Sequence, residues 1–479
     1  LETPVYTSDE QAASTYEKIW TSLRSGTSLR LCFNSSGKLE YIYMPSKTAS
    51  VSDDNVLVAK NKPTGSNNPF ASLSGGKTPA QIYKNGIPAE LSDLRQYDVG
   101  TYDKSSDTLF VSDLKLSGLY ENAYPNAAAP STVTVMGAEL TVLPSAQADL
   151  AAFKVGDKVT LLLTTTGQVA GAVSPDVAKS NAVGVAEVKG TMATIKLLDG
   201  ILTLEGKTTY SEAAAAKLNG CLVTVSSYKR DYLTLSKVNG KGASTALNLT
   251  TNRMGTKELS AGARFFEQVG NGRLVEIDRS DITITSIPAN RITYVGYDWA
   301  GRVDKLVLND VTGDRYDYGI IHYQPAGYQE TPGNPDGNGE YKNGEISVTN
   351  GSFPKGMPPY VVGSVDGAKT NRMGGVAGSL DQLDGQNRMA AFMPLNEAKG
   401  IRRAQFDTDA MLLTTNSMVI PISDAVECYN KTTGDWFKPG EDGDHKAALN
   451  LALAFSDDIT VYYDRSPEEG GKVRIVVVE

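Results

Sequence analysis

The sequence is poor in the residues that carry most enzymatic and metal chemistry. Its 479 residues include 2 histidines, His322 and His445, and 3 cysteines, Cys32, Cys221 and Cys428. So few histidines leave little for an imidazole metal site or an acid–base network. The cysteines are far apart and each sits in an apolar, strand-like run, so they read as small buried hydrophobes and not as a disulfide framework. A basic excess is missing too. With a net charge of −9 the chain cannot exchange cations for a polyanion's counterions, which argues against nucleic acid as a partner. No run is long and apolar enough to span a membrane, and "LETPVYTSDE" at the start holds no signal peptide. GxSxG, phosphate-loop, HExxH and GxGxxG patterns do not occur.

What the chain has instead is hairpins. "VGDKVTLLLTTTGQVAGAVS" (155–174) pairs two apolar runs across a Thr-rich turn ending in Gly167. The design returns in "SGTSLRLCFNSSGKLEYIYM" near the start and "SDDITVYYDRSPEEGGKVRIVVVE" at the end. Turns that end in glycine, such as NSSG, TTTG and DWAG, suit hairpin loops of three to five residues. Several hairpins follow a polar cap and an Ala/Leu stretch, as in "SEAAAAKLNGCLVTVSSYKRDYLTLSKV". Ser or Asp caps a short helix, Ala and Leu propagate it and a Gly, Asp or Asn ends it. This order predicts short helices near residues 10–24, 145–153, 211–218 and 444–454. An isolated hairpin is marginal in water, so such units must pack together. The expected fold is therefore mainly β: a multi-module chain of small antiparallel β-barrels or sandwiches, built from hairpin repeats with short capping helices.

Composition places the boundaries. Residues 1–45 form an N-terminal helix–hairpin unit, either part of the first module or the tail of a preceding one. Residues 46–79, rich in Ser, Gly, Asn and Pro, read as a linker around one short strand. Residues 80–175, 180–322 and 343–479 read as three β-modules, with a Gly/Pro-rich linker at 323–342. The last strand presents a problem of its own. Alternation puts Val473, Ile475 and Val477 on one face and leaves Val476 and Val478 on the other, needing cover from the same module or from another subunit. If another subunit covers them, lysines at Val476 and Val478 would weaken assembly and spare the fold.

One stretch has metal-ligand spacing. In "NPDGNGEYKNGE", Asn334, Asp336, Asn338 and Glu345 stand where a twelve-residue calcium loop places oxygen ligands, with Gly339 at the turn. Asn at the first position, Lys342 at the ninth and the lack of flanking amphipathic helices favour a solvated linker. Asp53/Asp54 and Asp457/Asp458 lie at hairpin mouths and read as turn formers. His445, just after a helix cap, reads as an exposed polar residue, and His322 has no acidic or thiol partner at metal spacing. The glycine-rich stretch 363–385 reads as a long surface loop. Tyrosines outnumber phenylalanines, 23 to 11; the Tyr41/Tyr43, Tyr294/Tyr297 and Tyr462/Tyr463 pairs suit cross-strand packing, with a glycan or partner surface as the alternative. No catalytic or cofactor-binding residue stands out.

In "YKNGIPAELSDLRQYDVGTYDKSSDTLFV", "FKVGDKVTLLLTTTGQVAGAV" and "ITVYYDRSPEEGGKVRIVVVE" the chain resembles the extracellular repeat regions of Gram-positive bacterial proteins that carry S-layer homology domains. The resemblance implies a secreted protein held to cell-wall polymer by triplets of those domains, with a β-rich exposed region. It carries over no catalytic residue. "TYEKIWTSLRSG" lacks the aspartate-led opening of the anchoring domain, so the anchor is expected outside this chain.

The resulting expectation is a non-enzymatic, extracellular structural protein: a surface-layer or cell-envelope component that self-associates or meets other envelope proteins. It needs no cofactor, with calcium as the one candidate ion. The alternative is a glycan- or host-binding adhesin. A secreted hydrolase would require a convergent carboxylate pair in a cleft.

Overall fold

The computed structural model describes residues from 51 onward except 64–66, 180–181, 199, 239–241, 331–338, 380–386 and 441–442. Before residue 51 it describes only the strands Pro4–Thr7, Ser14–Thr15, Arg30–Phe33 and Leu39–Met44. These four form one sheet, with Pro4–Thr7 running parallel to Leu39–Met44. The helix expected near 10–24 lies outside the described residues, apart from Ser14–Thr15, which is a strand. The fold is mainly β, as expected, and the chain divides into two compact units. Unit 1 comprises 1–239, 259–263 and 297–304; unit 2 comprises 240–258, 264–296 and 305–479.

In unit 1, Val56–Val58 heads a five-stranded sheet that continues through Val99–Asp103, Thr108–Ser112, Gln81–Lys84 and Ile87–Pro88. The hairpin that opens the sequence argument pairs Lys158–Leu163 with Val169–Val173, and Gly167 takes φ +84° in its turn. It continues into Lys115–Tyr124, Thr132–Val135 and Ala138–Thr141. Residues 182–237 then close a five-stranded barrel. Alternation is plain in Thr203–Thr208 and Met192–Leu197, where every second residue is buried, as a strand with one face on a core requires. Leu161, Leu163, Val169, Ile195, Leu204 and Leu233 share one sealed cluster.

Three helices appear where the repeats predict them: α1 (Gln147–Leu150), α2 (Glu212–Ala216) and α3 (His445–Phe455). Their caps correct the expected mechanism. Asp444 accepts from Ala447 N at 3.2 Å, but Ser211 makes no side-chain capping bond, and the N-cap of α1 is Ala146, not Ser145. Burial of Leu150 holds α1, and Ala-rich propensity with burial of Ala215 holds α2, in place of a serine cap.

Unit 2 contains the second closed barrel, formed by Asp317–Gln324, Gly344–Thr349, Tyr360–Val362, Arg388–Pro394 and Arg372–Ser379. This revises the surface-loop reading of 363–385, because Arg372–Ser379 is a barrel strand. Its glycines lie there for close packing: a Cβ on Gly375 would meet Tyr318 Cε1 at 2.5 Å, and one on Gly374 would meet Ile321 Cγ1 at 2.8 Å. The final sheet places Val473–Val478 between Ile459–Tyr463, antiparallel, and Val419–Asn430, parallel. Val476 and Val478 are fully buried within a cluster that includes Leu449 and Leu453 of α3. Their cover therefore comes from the same unit, and the idea that lysines there would spare the fold is overturned. Asn396–Ile401 is an edge of this sheet; it carries exposed Glu397 and Lys399, the charged dressing that keeps an edge from pairing with another chain.

Candidate functional site

Unit 2 holds a buried network of ionisable groups organised around "VTGDRYDY" (311–318) and the final strand "KVRIVVV". Arg474 is 1% exposed in the middle of an apolar run. A guanidinium taken out of water needs all its N–H groups occupied. Nε and Nη2 donate to Asp464 Oδ2 at 2.9 and 2.8 Å, Nη2 also to Thr312 O at 2.6 Å, and Nη1 to Asp314 Oδ1 and to Ser423 Oγ at 3.0 Å. Its plane stands over the Tyr318 ring, 4.9 Å from the centroid. Lys472 Nζ donates to the other Asp314 oxygen at 2.7 Å. Burial pushes the Asp314 carboxyl up, but Arg474 and Lys472 outweigh it and hold it below the usual range.

The loop that delivers Asp314 is shaped by two features. Buried Glu267 accepts from Thr312 N at 2.7 Å and from the Val311 amide and the Thr312 hydroxyl, so the loop's backbone donors are satisfied away from water. Gly313 takes φ +72°, and a Cβ there would lie 2.3 Å from Asp464 Oδ2 and 2.4 Å from Arg474 Nη2. Only glycine admits the network at this point.

Beside the network lies a cavity of about 360 Å³ whose lining includes Asp317, Phe353, Asp424, Glu427 and His445. A second hollow of about 540 Å³ shares Asp314–Asp317 and adds Arg273 and Tyr360. Glu427 is 5% exposed. Its Oε2 accepts from Gly351 N at 2.9 Å. Burial pushes the Glu427 carboxyl up to about 7; the Gly351 N–H opposes this, and the charge of Asp317 adds to it. Asp317 is raised as well, by burial against the opposing charge of Arg315. Two carboxyls that affect one another and line one cavity are the feature a hydrolase reading would require. Sequence reading missed both of them. Glu427 is hidden inside the apolar run "AVECYN", and Asp317 is one acid in an alternation of acids and tyrosines. A charged residue inside an apolar strand run was the available signal, for Glu427 as for Arg474.

The residues singled out from sequence fall elsewhere. Asn334, Asp336 and Asn338 lie outside the described residues, and Glu345 is exposed on the barrel strand Gly344–Thr349. Among the described residues no group of three or more His, Cys, Asp or Glu side chains is arranged to hold a metal ion. His322 is exposed, with Nε2 3.0 Å from Thr349 Oγ1. His445 is half-buried and not an exposed polar residue: as the first residue of α3 its ring turns inward, with Nδ1 3.1 Å from Val426 O and 3.9 Å from Glu427 Oε1. Of the acid pairs, Asp457 Oδ1 accepts from Arg403 N and Asp53 Oδ1 from Ser145 N, so each of these two carboxylates ties down a segment distant in sequence. Tyr462 donates to Glu397 Oε1 at 2.6 Å across paired strands, whereas Tyr297 is 51% exposed. Cys428 is buried with a free thiol that burial raises far above its usual range, and Cys221 is free and half-buried.

Comparison of the chain with protein-family models, with curated proteins and with solved structures returns no match.

Proposed function

We propose that this chain is a structural, non-enzymatic component of a Gram-positive cell envelope: a secreted, surface-layer-type protein that self-associates or contacts other envelope proteins. The observation that supports this reading is the succession of small β-sheets along the chain, two of them closed five-stranded barrels, one sharing its aliphatic core with the sheet before it and the other enclosing a cluster of its own. Such a succession offers several separate sheet surfaces for contact with other molecules.

A buried charge network in unit 2 is consistent with the same role. Arg474, Asp464, Asp314 and Lys472 neutralise one another, and their geometry fixes a loop against two strands. The resemblance to S-layer homology proteins supplies the envelope location and the wall-polymer partner. Calcium held by Asn334, Asp336, Asn338 and Glu345 would be an accessory to that role. Electron microscopy of the purified chain at rising concentration tests the reading. Ordered sheets or filaments are expected, and isolated particles at every concentration would refute it.

A further inference from the structure

Glu427 is an acceptor with one oxygen left over. Oε2 is used by Gly351 N, but Oε1 has no hydrogen-bond donor among the described residues. The nearest cationic candidate, His445 Nδ1, is 3.9 Å away and is directed to the carbonyl of Val426 instead. A carboxylate oxygen that opens onto a cavity with no protein donor leaves a place for a donor from outside.

The surrounding charges define what would fill it. Lys472 and Arg474 are engaged by Asp314 and Asp464 and offer Glu427 nothing. Arg315, in the turn just before the barrel strand, offsets Asp317. Asp281 accepts from Asp278 N and faces Lys472, and Asp424 is exposed on the same strand as Glu427. Acids thus exceed free cations around the cavity. Phe353, 42% exposed, adds an apolar wall. The space, about 360 Å³, suits a small organic molecule.

We propose that this cavity is a binding site for a small aliphatic amine, whose ammonium group donates to Glu427 Oε1 and is drawn in by Asp317 and Asp424, with its carbon chain against Phe353. The site is independent of the assembly role. An ammonium supplies the donor that Oε1 lacks and the charge that the surrounding acids leave uncompensated.

Calorimetric titration of the full chain with butane-1,4-diamine, and with butane-1,4-diol as its uncharged counterpart, tests this. The diamine should bind saturably and the diol should not. Glu427→Gln, which keeps the acceptor for Gly351 N, should weaken diamine binding tenfold or more. Asp317→Asn should weaken it by a smaller factor and serves as the second variant. With the Glu427 carboxyl near 7, the cation should bind about tenfold more weakly at pH 6 than at pH 8 and should release a proton on binding. Equal affinity for diamine and diol, diamine binding that Glu427→Gln leaves unchanged, or no binding of either probe would each overturn the proposal.

Discussion

Lys84 Nζ lies 2.7 Å from Asp98 Oδ2 in unit 1, with the two side chains 0% and 1% exposed. Lys84 also donates to Asp93 O at 3.1 Å and stands 5.5 Å from the centre of the Trp299 ring. Asp98 Oδ2 takes a further bond from Arg95 N, while Oδ1 is buried without a partner. Burial raises the Asp98 carboxyl despite the lysine, so the pair holds only as long as both members are present.

Lys84→Met leaves Asp98 buried without its cation, so it should destabilise unit 1 by about 3–5 kcal/mol. Adding Asp98→Leu should recover part of that loss. Urea denaturation of the single and double variants reads this. A double variant as unstable as the sum of the singles would show that the two residues are not coupled.

Gly313→Ala should be much worse than Gly367→Ala. Both glycines have positive φ, but a Cβ at Gly367 meets nothing within 4 Å and one at Gly313 meets Asp464 and Arg474. The left-handed backbone alone costs about 1–2 kcal/mol, and the steric conflict should add roughly 1–3 kcal/mol more. Equal thermal shifts in the two variants would show that the loop gives way without cost.

Glu427 should make unit 2 less stable as pH rises. Its folded carboxyl is raised to about 7, above an unfolded value of about 4.3. The folded state therefore holds the extra proton between those values. The contribution is fully present below the unfolded value and is lost as pH rises through 7, and it amounts to the order of 3 kcal/mol. Glu427→Gln should flatten this part of the profile and be more stable than the parent at pH 8. A parent and variant with parallel pH profiles would argue against the shift.

Val476→Lys together with Val478→Lys should abolish cooperative folding of unit 2, because both positions are fully buried between two strands and α3. Circular dichroism melting of the double variant checks this. A native-like melt would place the two side chains at an interface with another molecule.

The mainly β fold and the three helix positions were legible because both depend on local order: alternation, Ala/Leu stretches and turn glycines leave their mark within a dozen residues. The position of Val473–Val478 in its sheet was not legible. Whether a hydrophobic strand is central or at an edge depends on Val419–Asn430, some fifty residues earlier, coming to lie beside it in parallel. The cavity was hidden for the same reason: Asp317 and Glu427 meet only through the fold. A guanidinium in a valine run needs acids, a signal that was there to be read at Arg474, but nothing local says that these are Asp464 and Asp314. Gly374 and Gly375 look like loop glycines until the packing of Ile321 and Tyr318 against them is known.

The central claim, that the chain is built to assemble, is tested most directly by sedimentation velocity over a wide concentration range, with and without calcium. The account predicts mass-dependent growth to species well above the monomer. A single sharp monomer boundary at every concentration and in both conditions would contradict it.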